Sequence, residues 1–121
     1  MHNSMEVMTS PGFGGSNMMP LTNTTIGVVA TNARLNKEQA NKLASVAHDG
    51  LAMAVRPAHT MSDGDTLFAL ATSKLEGPVD MNRLCAASVL CVSRAIVRGV
   101  GKAEGIGCIP GIKELTRNGT P

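Results

Sequence analysis

The sequence predicts an α/β fold. Two short apolar runs, Thr24–Thr31 and Thr66–Thr72, are separated by one long helical pattern and followed by a second, and each helix opens on a residue that caps well. The first run carries β-branched residues at 24, 25, 26, 28, 29 and 31 and is apolar on both faces over part of its length. A strand of that kind belongs in a sheet covered on both sides.

The elements follow in order. Residues Met1–Asn23 are broken by Pro11, by Gly12, Gly14 and Gly15, and by Pro20, so an irregular, flexible segment is expected there. After the first strand, Asn32–Leu35 turns the chain. Asn36 is a good N-cap, with Gln39 in the capping-box position. The helix it opens should run to about Val55, with Leu43, Val46, Ala47, Leu51, Ala54 and Val55 facing a core and Lys37, Glu38, Asn41 and Lys42 outside. Gly50 inside that helix costs roughly 1 kcal/mol against Ala, which points to close packing at that position. Pro57 ends the helix, and Ala58–Gly64 is a loop leading to the second strand. Glu76-Gly77-Pro78 breaks the chain again. Asp80 caps a helix expected to reach about Gly101, apolar nearly all round, as suits a helix inside a layered core; Arg94, Arg98 and Lys102 share its remaining polar stripe. The tail from Gly105 is rich in Gly and Pro. Two apolar strands cannot make a stable sheet with both faces covered, so the chain is expected to need more sheet from elsewhere.

Composition excludes some functions. At 121 residues and 12.5 kDa the chain is one domain or part of one. With two Phe and no Trp or Tyr it lacks the aromatic platforms that stack single-stranded bases, and its net charge of +2 comes without a basic cluster, so no nucleic-acid partner is expected. The three cysteines, Cys85, Cys91 and Cys108, lack zinc spacing and are expected as buried, reduced thiols in a cytoplasmic setting. The longest apolar runs fall short of the roughly 18 residues of a membrane span, and the N-terminal stretch lacks the pattern of a secretory signal. No membrane partner, metal or organic cofactor is expected.

The candidate chemistry begins at Asn23–Thr24. Were that bond cut, Thr24 would carry a hydroxyl nucleophile and a free amine on one residue, and the amine can act as the base the hydroxyl needs. An α-amine titrates at about 7.7–8.0, which leaves a useful neutral fraction near pH 7. Asp63-Gly64-Asp65 lies downstream; it lacks the ligand positions of a calcium loop, and on residue types alone it is an ordinary Asx turn feeding a strand. His48 on a helix face and His59 in a loop are open to either a catalytic or a structural part.

Taken together, the stretches Gly27–Leu35, Ala47-His48-Asp49-Gly50-Leu51, Arg56-Pro57-Ala58-His59-Thr60, Asp63–Thr66, Phe68–Thr72, Ala95–Arg98 and Gly107–Ile112 closely resemble the self-processing P1 (S58, DmpA-type) peptidase family. That family includes L-aminopeptidase/D-esterases, β-peptidyl aminopeptidases and the nylon-oligomer (6-aminohexanoate oligomer) endohydrolase. The resemblance implies a precursor that cuts itself into a large α part and a small β part, with Ser or Thr as the new N-terminal nucleophile. Thr24 falls at that position, and the Asn–Thr junction is similar to the nylon-oligomer type. Two acidic residues of that enzyme act near the nucleophile and fall on Asp63 and Asp65, which implies that they orient the Thr24 amine. The implied fold is an αββα sandwich, Ntn-hydrolase-like in its layers, of which this chain would hold only the C-terminal portion. Residues 1–23 would correspond to the end of the α part and 24–121 to the β part.

The resemblance implies hydrolysis of a small peptide or amide, without cofactor, by an oligomer of α/β pairs. The oxyanion-stabilising groups would lie in the α part, so the chain alone is expected to be inactive. Two alternatives stand beside it. One is an acyltransferase like the ornithine acetyltransferases, whose Thr-Met-Leu context Thr24-Thr25-Ile26 lacks; the other is an orphaned fragment without a complete site.

Overall fold

The structure is a computed structural model and describes residues 4–13 and 24–117. Its elements run α1 (Ser4–Thr9), β1 (Ile26–Thr31), α2 (Lys37–Ala54), β2 (Thr66–Ala71), α3 (Met81–Lys102) and α4 (Ile112–Arg117). β1 and β2 pair in parallel, with Ile26 opposite Thr66, Val28 opposite Phe68 and Ala30 opposite Leu70. A parallel pair needs a crossover, and α2 supplies it. The mixture of helices with a small parallel sheet is the α/β class expected.

Both helix starts lie where the sequence puts them. Asn36 Oδ1 accepts the Gln39 N–H at 2.8 Å, and Gln39 Oε1 accepts the Asn36 N–H at 3.0 Å, closing a capping box. Asp80 Oδ1 accepts the Arg83 N–H at 3.1 Å and starts α3. Leu43, Ala47 and Leu51 of α2 are buried, and Ala47 and Leu51 meet Leu67 of β2, with Val29, Val92 and Ile96 packed around them. Gly50 lies at the crossing of α2 and α3. A β-carbon there would run into the Val89 carbonyl and come within 3.0 Å of Val92 Cβ. The glycine in mid-helix is therefore a close-approach residue.

Several expectations need correction. β1 begins at Ile26, not Thr24, because the Thr25 N–H turns to a side chain (below) while only its carbonyl, accepting the Thr66 N–H at 2.8 Å, joins the ladder. Within the N-terminal stretch expected to be irregular, Ser4–Thr9 is a short helix in which the Thr9 hydroxyl donates back to the Met5 carbonyl at 2.8 Å. The tail also holds a helix, α4, whose Glu114 accepts the N–H groups of Gly105 at 3.2 Å and Gly111 at 3.0 Å. That carboxylate satisfies donors the Gly-rich approach would otherwise leave open.

Among the described residues the sheet is covered on one face only. Val29 and Leu67 point to the helices, whereas Ile26, Val28, Phe68 and Leu70 share the opposite face, each more than half exposed. α3 is likewise packed on one side: Ser88 is its one fully buried residue among those described, and Leu90, Val97 and Val100 are exposed. By length and composition α3 also qualifies as a membrane span; here one side of it packs against α2. The cysteines also differ from expectation. All are free thiols, but Cys91 and Cys108 are exposed and Cys85 is partly so: Cys91 lies on α3, whose outer side no described residue covers, and Cys108 lies in the loop between α3 and α4.

The Gly50 crossing has a measurable consequence. Gly50→Ala gains roughly 1 kcal/mol of helix propensity but overpacks a junction where added methylene typically costs about 1–3 kcal/mol. Thermal melts followed by circular dichroism should show a lower Tm; a Tm at or above that of the parent would contradict the close crossing.

Candidate active site around Thr24

Thr24 sits exposed, two residues ahead of β1, so its side chain is not locked into the ladder. Asn23 and residues 14–22 lie outside the described residues. The loop before β2 passes beside Thr24. A β-carbon at Gly64 would approach Thr24 Oγ1 to 2.8 Å, so the middle residue of Asp63-Gly64-Asp65 lies directly against the candidate nucleophile. A side chain at 64 would require the Thr24 hydroxyl to move from its position.

The two carboxylates do different things. Asp63 Oδ2 accepts the Thr60 N–H at 2.7 Å, while the Asp63 N–H reaches the Thr60 carbonyl at 3.1 Å. This is a local turn closure. Asp65 works across the fold: its Oδ1 accepts the Thr25 N–H at 2.9 Å, and its Oδ2 accepts the His59 N–H at 3.3 Å and lies 3.3 Å from His59 Nδ1. The Asp65 side chain is only 6% exposed. Consecutive Cα atoms are about 3.8 Å apart, so the Thr24 nitrogen lies one such step from the nitrogen Asp65 holds.

The electrostatics follow from these contacts. Burial pushes the Asp65 carboxyl up, but the Thr25 and His59 N–H groups, the Thr25 hydroxyl and the His59 ring together hold it below its ordinary value of 3.8. Asp65 therefore stays ionised, an acceptor aimed at the start of β1.

Two histidines left open in the sequence belong to the same cluster. His48, on α2, accepts the Leu67 N–H through Nε2 at 3.3 Å, and its ring centroid is 4.9 Å from that of His59. Thr25, His48 and His59 are the residues that sequence reasoning did not join to Asp65. The available signal was the recurrence of polar side chains at 59, 60, 63 and 65 in one short loop. Among the described residues no group of three His, Cys, Asp or Glu side chains could hold a metal. A cavity of about 290 Å³ among the described residues is lined by Ala103, Glu104, Gly105, Lys113 and Glu114 and includes none of these residues.

Because the folded Asp65 carboxyl titrates below its ordinary value, its stabilising contribution is complete above about pH 4–5 and fades as pH falls through the depressed folded value. Asp65→Asn places an amide donor against donors and should lower Tm by several degrees at pH 7. In denaturation curves from pH 7 to pH 2, the gap to the parent protein should narrow in acid; a gap independent of pH would contradict the ionised clamp.

Comparison with known proteins places these residues in context. The family model described as peptidase family S58 matches residues 3–113. An uncharacterized aminopeptidase of Mycobacterium tuberculosis is 39% identical over 106 residues, covering 77% of this chain and 31% of that protein. One of Mycobacterium leprae is 45% identical over 101 residues, covering 73% of this chain and 28% of the relative. A 6-aminohexanoate-oligomer endohydrolase of Kocuria is 39% identical over 56 residues, covering 46% and 16%. The chain thus spans under a third of the length of these relatives. With the family model covering nearly all of it, this chain belongs to peptidase family S58.

Proposed function

We propose that the chain is the β part of an amide- or peptide-bond hydrolase whose nucleophile is Thr24, exposed as an N-terminal residue when the Asn23–Thr24 bond is cut. The observation that carries the reading is the meeting of the Thr24 hydroxyl with the Asp63-Gly64-Asp65 loop, against Gly64, with a buried carboxylate on the next residue's nitrogen. The names of the relatives, aminopeptidase and 6-aminohexanoate-oligomer endohydrolase, agree with amide chemistry.

In the proposed reaction the freed Thr24 amine takes the hydroxyl proton as Oγ attacks the substrate carbonyl, and then gives it to the departing amine. An ester on Thr24 remains, and water attacks it by the same proton path, releasing the acid and restoring the hydroxyl. Asp65 fixes the Thr24–Thr25 step through the Thr25 N–H. Its negative charge, one residue from the new amine, favours the ammonium formed as the proton arrives. Asp63 keeps the Thr60–Asp63 turn closed and so holds Gly64 against the hydroxyl.

An α part of the same precursor would complete the site. The bare apolar sheet face formed by Ile26, Val28, Phe68 and Leu70 supports that partner, since a contiguous exposed patch of large apolar side chains marks an interaction surface. The reading extends to an αββα sandwich closed on that face and to an oligomer of such pairs.

Intact-mass analysis of the chain joined to a family α part should show a new N-terminus at Thr24. Thr24→Ala should abolish both that cleavage and turnover of a small amide, a loss of at least about 100-fold, as expected when a nucleophile is removed. Persistent full-length precursor, or amidase activity retained by Thr24→Ala, would remove Thr24 from the proposed role.

A further inference from the structure

The structure assigns a positioning role to a residue that the proposed chemistry leaves unused: we infer that His59, backed by His48, sets the Asp65 carboxylate and through it the nucleophile at Thr24. The inference rests on the Thr24 reading.

His59 sits with φ 58°, in the left-handed region where glycine and asparagine are most at ease. That conformation brings the backbone N–H within hydrogen-bond distance of Asp65 Oδ2, at 3.3 Å, and sets ring Nδ1 at 3.3 Å from the same oxygen, an ion pair when the ring is protonated. The other oxygen, Oδ1, is held by the Thr25 N–H at 2.9 Å. The carboxylate is thus fixed from both sides, and its plane cannot rotate without breaking a contact to one of them.

The ring itself is 40% exposed on the side chain, so burial alone does not hold it. What backs it is the His48 ring at a centroid distance of 4.9 Å, tilted by 52°. His48 is anchored by the Leu67 N–H of β2, which donates to its Nε2 at 3.3 Å. An acceptor Nε2 requires the proton, when the ring is neutral, to lie on Nδ1. The connection therefore runs from the backbone of β2 through His48 and His59 to Asp65, and from Asp65 to Thr25 beside Thr24. Neither histidine touches Thr24 in any contact observed here. They act through Asp65, which makes them positioning residues in the sense in which a third group orients the base of a triad.

Three variants separate the side chain from the backbone. His59→Gly keeps the left-handed turn and removes the ring. His59→Asn tolerates the same turn and returns a side-chain N–H near the place of Nδ1. His59→Leu fills the space without a donor. In the chain paired with a family α part, His59→Gly and His59→Leu should lower kcat on a small amide by about tenfold or more, the order of effect seen when supporting contacts are lost, with KM little changed. His59→Asn should recover most of the rate. In parallel, the ¹⁵N–¹H resonance of the Thr25 amide should move upfield in the Gly and Leu variants and return in the Asn variant. Wild-type kcat in His59→Gly, or a Thr25 resonance unmoved in all three variants, would overturn the role. If the parent protein neither cleaves at Thr24 nor turns over amides, the Thr24 reading fails, and the Thr25 resonance alone then decides whether His59 sets Asp65.

Discussion

The buried Asp65 carboxylate is the contact on which the site depends. It ties the residue after the candidate nucleophile to the loop that precedes β2, through the Thr25 N–H on one oxygen and His59 on the other. Taking a carboxylate almost wholly out of water is costly unless it is hydrogen-bonded, and here the donors outweigh the desolvation, so the group remains ionised. The same contact decides where β1 begins. Thr25 cannot give its N–H both to Asp65 and to a ladder partner, so the strand starts one residue later and Thr24 is left outside it, exposed and placed against Gly64.

The scaffold behind this clamp is a single β1–α2–β2 crossover with α3 laid along α2. Its tightest point is Gly50, where two helices approach as closely as a missing side chain permits. Its weakest feature is the uncovered sheet face. A two-stranded sheet is marginal by itself, and the rows Val28–Phe68 and Ala30–Leu70 present apolar groups to water where a layered fold would place another layer. The bare face is where the proposed α part would add its sheet.

The helices were legible because their signals are local. Asn36 with Gln39, and Asp80, specify a start through side chains three residues from the donors they satisfy, and no distant residue can change that. Gly50 was legible as an anomaly whose resolution is a helix crossing. The two-sided apolar strands announced a sheet needing two covers, of which the described residues supply one. Other features depend on contacts far apart in sequence. The start of β1 is set by a side chain forty positions away. The exposure of Cys91 follows from the lack of described residues packed on the outer side of α3. Asp63 and Asp65 are alike in a motif, yet one closes its own turn and the other bridges the fold. His48 and His59 gained a shared role only when α2 and the following loop met at the edge of β2. Six-residue helices such as α1 and α4 carry too few positions to establish a period.

The most direct measurement of the central claim is acylation. The processed protein, paired with its α part, is incubated with an activated ester, quenched in acid and digested, and the acylated peptide is located by mass spectrometry. The account predicts one acyl group on Thr24, strongly reduced in Asp65→Asn protein with its fold intact by circular dichroism. Label on another residue, or equal labelling of Thr24 with and without the Asp65 carboxylate, would contradict it.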